Sequence, residues 1–347
     1  MPTEQQIRDA LKQVKFPGFS RDIVSFGLVK EVVIENGSVG VAIAVQTRDP
    51  AVADQIKSDA ETVLGKLSGV NRAVVNMRLM PPPSAPTGAG VPTAMRVAGI
   101  KKSVAVASCK GGVGKSTIAT NLACALQKLG GNVGLMDCDI YGPSVVKMLG
   151  ITDRPTMDEQ EHIVPVEQFG IKLISMAMLV GEDDPLIWRG PMLMKAIRDF
   201  AHNVRWGELD ELVVDLPPGT GDAPLSLVQT IELDGVVIVT TPQDVALGIV
   251  KRGIKMFEKV NVPILGIIEN MTSFECPHCH KTTEIFSHGG GHREADRLGI
   301  PFLGEVPLLP EIRIAGDKGL PLVVAAPDSA PAKIFLEIAR RVKEQLG

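Results

Sequence analysis

The stretch ECPHCH contains two cysteines, Cys276 and Cys279, that lie three positions apart. This spacing lets both thiolates bind the same metal ion. Zinc and iron–sulfur clusters normally take four protein ligands, so the pair supplies half of a site. The other cysteines do not complete it, because Cys109, Cys124 and Cys138 stand singly in the sequence. The remaining ligands must come from elsewhere.

Two sources of these ligands are consistent with the spacing. A two-fold symmetric dimer repeats each residue on both sides of its interface, so two copies of Cys276 and Cys279 provide four thiolates. Alternatively, histidines of the same chain complete an intramolecular zinc site, since zinc accepts mixed nitrogen and sulfur ligands. The histidines near enough in sequence are His278, His280, His288 and His292.

A glycine-rich stretch, SCKGGVGKST, lies between a predicted buried strand and a predicted helix. Such a loop points backbone N–H groups at a phosphate, its lysine neutralises the outer phosphates, and its hydroxyl binds Mg²⁺. Cys109 takes the first position, where the general pattern has glycine. The predicted nucleotide-binding residues are Lys110, Gly111, Gly112, Val113, Gly114, Lys115, Ser116 and Thr117. Lys110 adds a second cation that can stabilise transition-state charge, so Lys110 and Lys115 are both predicted to be catalytic.

Further polar residues follow other predicted strands, where an open parallel sheet places its ligands. Asp137 and Asp215 are predicted to hold Mg²⁺ together with Ser116, and Asp139 is predicted to orient the attacking water. A carboxylate at a strand end can also cap a helix, and this alternative stays open for Asp137. Asn270 can pair with the edge of an adenine through its amide, or can simply form a turn.

Short apolar runs alternate with helical segments after position 100, as in an α/β domain whose mostly parallel sheet is covered by helices on both faces. The predicted strands are Val104–Ala107, Val133–Met136, Leu173–Met176, Leu212–Val214, Val236–Thr240, Ile264–Ile268 and Phe302–Val306. We therefore predict one large domain at 101–347.

The first 80 residues read differently, as a helix, a hairpin with a turn at ENGS, a second helix and a last strand. This order predicts a small α+β domain at 1–80. Residues 81–100 are rich in proline, glycine and alanine, which predicts a linker.

Composition narrows the functional classes. A formal net charge of -4 and a pI near 5.9 argue against nucleic-acid binding. No apolar run approaches the roughly 20 residues of a membrane span, and the N-terminal stretch lacks an export signal, so a cytoplasmic location is expected. Five cysteines without a framework spacing indicate free or metal-bound thiols.

The motifs together resemble a known family. KGGVGKS, with its lysine at Lys110, is similar to the deviant phosphate loop of the nitrogenase iron protein, MinD and ParA group of P-loop NTPases. KGGVGKST, DCDIYGPS, WRGPM, VVDLPPGTGD, TTPQDVAL, ENM, CPHC and GEVPLLPEIR then follow in the order of the Mrp-type, ApbC-like ATPases of iron–sulfur cluster assembly. The N-terminal part resembles a small domain fused to bacterial members of that family.

This resemblance implies an ATP-hydrolysing homodimer that carries a [4Fe–4S] cluster and transfers it to apo-proteins. Its implied partners are these apo-proteins and cluster-assembly scaffolds. It also implies that Lys110 reaches the nucleotide of the partner subunit, and that Cys276 and Cys279 share the cluster across the dimer. The main alternative is a MinD-like or ParA-like positioning ATPase with a structural zinc site, which would use the C-terminal helix as an anchor. A metabolic P-loop kinase is a third class.

Overall fold

The computed structural model describes residues 2–15, 22–25, 27–35, 38–46, 50–80, 94–139, 142, 144–179 and 190–347. The chain forms two compact units, Met1–Val91 and Pro92–Gly347. Most of the predicted linker, the centre of the predicted ENGS turn, and the first two residues of WRGPM lie outside the described residues.

The small unit has two helices and one three-stranded sheet. Its elements are α1 (Glu4–Leu11), β1 (Val29–Glu35), β2 (Ser38–Gln46), α2 (Pro50–Gly65) and β3 (Arg72–Met80). Strands β1 and β2 are antiparallel, and β2 and β3 are parallel. Thr3 and Gln6 form a capping box that satisfies the first free N–H groups of α1. The predicted small α+β domain is confirmed.

The large unit is built on an eight-stranded sheet in the order β15-β12-β11-β4-β10-β5-β9-β8. Its strands are β4 (Ile100–Ser108), β5 (Val133–Asp137), β8 (Val166–Gln168), β9 (Ile171–Ser175), β10 (Leu209–Asp215), β11 (Gly235–Thr240), β12 (Ile264–Asn270) and β15 (Phe302–Val306). Only β8 runs antiparallel to its neighbour. The seven predicted strands are all present in this sheet, which confirms the predicted fold class. Four very short strands pair outside it, namely β6 (Thr156–Met157) with β7 (Ile163–Val164) and β13 (Phe274–Glu275) with β14 (Thr282–Thr283).

Successive side chains of a strand point to opposite faces, and here both sets are apolar, so helices cover both faces of this sheet. Val104 and Val106 of β4 lie in one buried cluster, and Ala105 and Ala107 lie in the other. The helices are α3 (Lys115–Lys128), α4 (Val145–Met148), α5 (Gly190–His202), α6 (Asp222–Val228), α7 (Asp244–Lys259), α8 (Gly290–Leu298), α9 (Pro310–Asp317), α10 (Leu322–Ala325) and α11 (Ala330–Leu346), with a 3-10 turn at Met176–Leu179. None of the helices in the described part of the chain is long and apolar enough to cross a membrane.

The end of the predicted linker packs onto the large unit. Met95 donates its backbone N–H to the carbonyl of Thr230 at 3.1 Å, and Val97 is buried in the core. Burial in this core explains the apolar side chain of Val97 in a stretch that is rich in proline, glycine and alanine. Residues 94–100, which the prediction assigned to the linker, therefore belong to the large unit.

Candidate functional site

The glycine-rich loop connects the end of β4 to the start of α3 at Lys115. Gly112 and Gly114 have φ angles of +79° and +84°, a left-handed backbone that glycine adopts without steric cost. Gly114 also lies against the side-chain amide of Asn270, where a Cβ atom would overlap it. The loop shape therefore depends on glycine at these two positions, as a phosphate cradle at a helix N-terminus requires.

Lys115 is nearly buried, with 6% of its surface exposed, and points at the strand-end carboxylates. Its Nζ lies 2.7 Å from Oδ1 of Asp215, 3.6 Å from Oδ2 of Asp139 and 3.1 Å from Oγ of Ser116. The sheet brings these residues together because β4, β10 and β5 are neighbours whose carboxyl ends meet at one edge. A cavity of about 360 Å³ opens above Lys115, with Ser116, Thr117 and Asp139 in its wall. Its wall also includes Gly142 and Ser144 of DCDIYGPS, Pro218 of VVDLPPGTGD, and Met148, which lies outside the quoted motifs.

Two carboxylates lie beneath this cavity with no exposed surface, Asp137 and Asp215. Asp137 accepts hydrogen bonds from Oγ of Ser175 at 2.7 Å and from the N–H of Asp139 at 3.1 Å. Burial, followed by the charge of Asp215, raises the pKa of Asp137 to about 7. Burial also raises the pKa of Asp215, against the opposing effect of Lys115. Oδ2 of Asp215 has no hydrogen-bond partner among the described residues.

This donor set fits a hard divalent cation. Mg²⁺ prefers carboxylate and hydroxyl oxygens and usually keeps several waters beside a phosphate. An unpartnered buried carboxylate oxygen costs free energy, which a bound cation would recover. The structure brings Asp137 and Asp215 together beneath the Ser116 side of the cavity, and the binding of Mg²⁺ by these three residues stays a prediction.

Substituting Asp137 by asparagine is expected to stabilise the nucleotide-free protein at alkaline pH. Because the pKa of Asp137 is raised, the wild-type protein loses stability as pH rises from about 4 to about 7. In this range the folded state keeps a proton that the unfolded state releases. The stability that Asp137→Asn gains over wild type should therefore be larger at pH 8 than at pH 5 by about 1 kcal/mol or more. Denaturant unfolding at both pH values measures this.

Asp210 provides the control for this substitution. Its pKa is lowered by the N–H of Asn132 and then by Lys101. Asp210→Asn should destabilise the protein at pH 8, since a lowered pKa contributes stability above the unfolded value. A loss of stability in Asp137→Asn at pH 8 would contradict the assignment of a buried, mutually repelling carboxylate pair.

Cys109 and Lys110 lie at the start of the loop and differ in burial and in contacts. The Lys110 side chain is exposed, and its Nζ lies 3.4 Å from Oε1 of Gln243, just before α7. Sγ of Cys109 lies against Gly253 of α7, and burial raises the pKa of the Cys109 thiol to about 11. Cys109 thus packs the loop onto α7, whereas Lys110 extends from the surface.

Asn270, the last residue of β12, contacts the phosphate loop directly. Its Nδ2 donates to the carbonyl of Val113 at 2.8 Å, and only 6% of the residue is exposed. The Val113 side chain is buried in the core. In this structure Asn270 therefore ties the end of β12 to the phosphate loop, and the pairing with adenine stays a prediction.

Cys276 and Cys279 lie at the tip of a small hairpin formed by β13 and β14. The Cys276 N–H donates to the carbonyl of Lys281 at 3.0 Å, and the His280 N–H donates to the carbonyl of Cys276 at 2.9 Å. Cys276 is partly exposed and Cys279 is exposed. The backbone N–H groups of His278 and Cys279 lower the pKa of Cys276. The tight turn therefore favours the thiolate, which is the form that binds metal.

The histidines of this region do not join the cysteine pair. His280 contacts Glu275 at 2.8 Å, His288 contacts Glu305 at 2.9 Å, and His292 stacks on the ring of Phe302. Within the described residues, the one group of three or more potential metal ligands contains neither cysteine. The intramolecular zinc site is thus not assembled in this structure, although the cysteine hairpin itself is present.

The phosphate loop, the strand-end carboxylates and the parallel sheet define a P-loop nucleoside triphosphatase. The model of the NUBPL iron-transfer P-loop NTPase family matches residues 99–343, and the chain belongs to this family. A second family model, described as an iron–sulfur cluster assembly protein, matches residues 4–76 in the small unit.

Relatives agree with this assignment. The iron-sulfur cluster carrier protein of Helicobacter pylori is 40% identical over 343 residues, which cover 98% of this chain and 92% of that protein. Among solved structures, a nucleotide-binding protein from Archaeoglobus fulgidus in complex with ADP, with cobalt found, is 38% identical with a TM-score of 0.58, covering 65% of this chain and 88% of that one. The cell division ATPase MinD of Pyrococcus furiosus shares the fold, with 21% identity, a TM-score of 0.52, and coverage of 70% and 99%.

Proposed function

We propose that this chain is an ATP-dependent iron–sulfur cluster carrier whose two copies hold a [4Fe–4S] cluster between their cysteine pairs and pass it to apo-proteins. The observation that carries the proposal is the half-site geometry of the exposed hairpin. It offers the thiols of Cys276 and Cys279, and no third ligand from the same chain lies beside them among the described residues. Membership of the iron-transfer NTPase family and the name of the Helicobacter relative support the same cargo.

The exposed tip suits a cargo that must be handed on. A cluster held by four thiolates, two from each subunit, lies on the two-fold axis near solvent, where a recipient's thiolates can approach. The N–H groups that lower the pKa of Cys276 also donate to its sulfur, which stabilises the anionic ligand. A deeply buried site would hold the cluster more firmly and release it less readily.

Hydrolysis would use the phosphate loop and the residues around it. An incoming γ-phosphate competes with Asp215 for Lys115, and this exchange frees a second carboxylate oxygen of Asp215. Ser116, Asp137 and Asp215 would hold Mg²⁺, which would neutralise charge on the phosphates. Asp139 lines the cavity, where it can hold the attacking water. The exposed Lys110 of each subunit would add its charge to the partner's nucleotide.

Strand β12 connects the two sites. Asn270, at its end, donates to the phosphate loop, and the cysteine hairpin begins shortly after it with Phe274. A nucleotide can change cluster affinity only if it binds two arrangements of the protein differently. We propose that the Asn270–Val113 hydrogen bond is present in one of these arrangements and absent in the other. ATP hydrolysis would then shift the balance between cluster loading and cluster release.

The positioning-ATPase alternative has less support. It requires α11 to present apolar residues to a membrane. Instead, the apolar side chains of α11 are buried against the sheet and α3, including Phe335, Ile338 and Val342. The C-terminal helix is therefore part of the core of the large unit.

Anaerobic reconstitution tests the proposal. Purified protein treated with iron and sulfide is expected to run as a dimer that carries about four irons per dimer, and to activate an apo-protein that requires a [4Fe–4S] cluster. Iron content, visible absorption and mass together measure this. One zinc per chain that is retained throughout, with no cluster and no transfer, would contradict it.

A further inference from the structure

A second group of potential metal ligands lies away from the cysteines. Glu269 in β12, Glu305 in β15 and His288 just before α8 bring one ligand atom each to within 4.8 Å of one another. Glu269 and Glu305 are partners in the parallel register of β12 and β15, so their side chains point to the same face of the sheet. The start of α8 covers this face and brings His288 to them.

Two carboxylates side by side on neighbouring strands repel each other unless a positive charge lies between them. In this structure Nε2 of His288 lies 2.9 Å from Oε2 of Glu305. The hydrogen bond with Glu305 raises the pKa of His288, and the charges of Glu305, Glu284 and Glu269 contribute in the same direction. Among the charged groups nearby, Arg293 faces the backbone carbonyl of His288. The position therefore favours a cation.

Glu269 is fully buried and is held in place at the start of α8. Its carboxylate accepts the N–H of Gly289 at 2.8 Å and also the N–H of Gly291. A carboxylate has about four acceptor positions, so two N–H donors leave capacity for a cation. The His288 and Glu305 side chains are 42% and 36% exposed, which leaves a path for an ion and room for a water ligand.

We propose that Glu269, His288 and Glu305 bind one divalent transition-metal ion, of which Zn²⁺ fits best, at a site separate from the cysteine pair. Zn²⁺ accepts imidazole nitrogen together with carboxylate oxygen, and three protein ligands with one water complete a tetrahedral site. Two carboxylates and one neutral imidazole also balance its charge.

The metal site would fix the position of the cysteine hairpin. Glu269 precedes the segment 270–287, which carries Cys276 and Cys279, and His288 follows it. A metal bound to Glu269, His288 and Glu305 ties both ends of this segment to β15. It therefore holds the hairpin in one position relative to Asn270 and the phosphate loop. This role goes beyond cluster carriage, because it concerns a resident ion and not the cargo.

Cobalt titration of the full chain in a Cys276→Ser/Cys279→Ser background tests the proposal without competition from the thiols. The metal-free protein is expected to bind one Co²⁺ per chain, with visible d–d bands and no thiolate charge-transfer band, and Zn²⁺ should displace the Co²⁺. His288→Ala should weaken binding at least about 100-fold, and Glu305→Gln at least about tenfold. Glu269 is left unchanged because its carboxylate also caps α8.

His292→Ala is the matched control. His292 lies one helical turn further on, is exposed, and stacks on Phe302 without joining the cluster. Its removal should leave Co²⁺ affinity unchanged. Zn²⁺ should also raise the unfolding temperature of the control but not that of His288→Ala. An absence of stoichiometric Co²⁺ binding, or equal affinity in the two histidine variants, would overturn the proposal and leave a plain His288–Glu305 hydrogen bond. Either result is independent of cluster carriage, since Cys276 and Cys279 are replaced throughout.

Discussion

Lys115→Ala is expected to lower the rate of ATP hydrolysis by about 10²–10³-fold, because the developing charge on the transferred phosphoryl group loses the cation aimed at it. Cluster binding by reconstituted protein should be unchanged, since the cysteine hairpin belongs to a different part of the large unit. Phosphate release and iron content, measured on the same preparation, test both statements. Loss of both properties together would mean that the two sites are not separable.

The folding of this variant needs its own control. Lys115 is the buried partner of Asp215, and removing one member of a buried ion pair typically costs about 3–5 kcal/mol. Adding Asp215→Asn to Lys115→Ala removes the orphaned charge and should restore the unfolding temperature without restoring hydrolysis. Lys128→Ala, at the exposed far end of α3, should leave hydrolysis and stability unchanged. Recovery of hydrolysis in the double variant would show that Lys115 acts only through folding.

The fold was predictable because its buried strands leave a strong sequence signal. A parallel strand covered on both faces reads as a short apolar run, and β11, fully buried along its length, reads as GVVIVT. The edge strand β8 has only three residues and is partly exposed, so it has no such signal. The two-residue strands β13 and β14, which shape the cysteine hairpin, have no periodicity at all.

The candidate sites were predictable where a short motif or the end of a predicted strand marks their residues, and not where residues meet only through the strand order. The phosphate loop and the Cys-x-x-Cys each carry their spacing within a few positions. Ser175 supports Asp137 from β9, and Glu305 lies beside Glu269 from β15, because the strand order makes these strands neighbours. The residue type of Asn270 indicated a polar contact, but only the packing of Gly114 against it shows that its partner is the phosphate loop.

Cys276→Ala is expected to abolish cluster binding while ATP hydrolysis stays within a few-fold of wild type. A symmetric dimer of this variant presents only two thiolates, and a cluster normally needs four protein ligands. The remaining cysteines cannot substitute, because Cys124 and Cys138 are buried and Cys109 is packed against α7. Their thiols also have raised pKa values, to about 11 for Cys109 and about 12 for Cys124. Iron content and phosphate release measure the two effects.

A heterodimer of one wild-type and one Cys276→Ala subunit separates a shared cluster from independent metal sites. Co-expression with two different affinity tags and sequential purification isolates this species. If the cluster bridges the subunits, the heterodimer has three thiolates at a single site, and its iron content should fall well below half of the wild-type value. If each chain instead holds its own metal, the wild-type subunit keeps its full share, and the heterodimer retains about one half of the wild-type metal. A value near one half, without the visible absorption of a [4Fe–4S] cluster, would reject the bridging model, because the metal would then be held by the wild-type subunit alone.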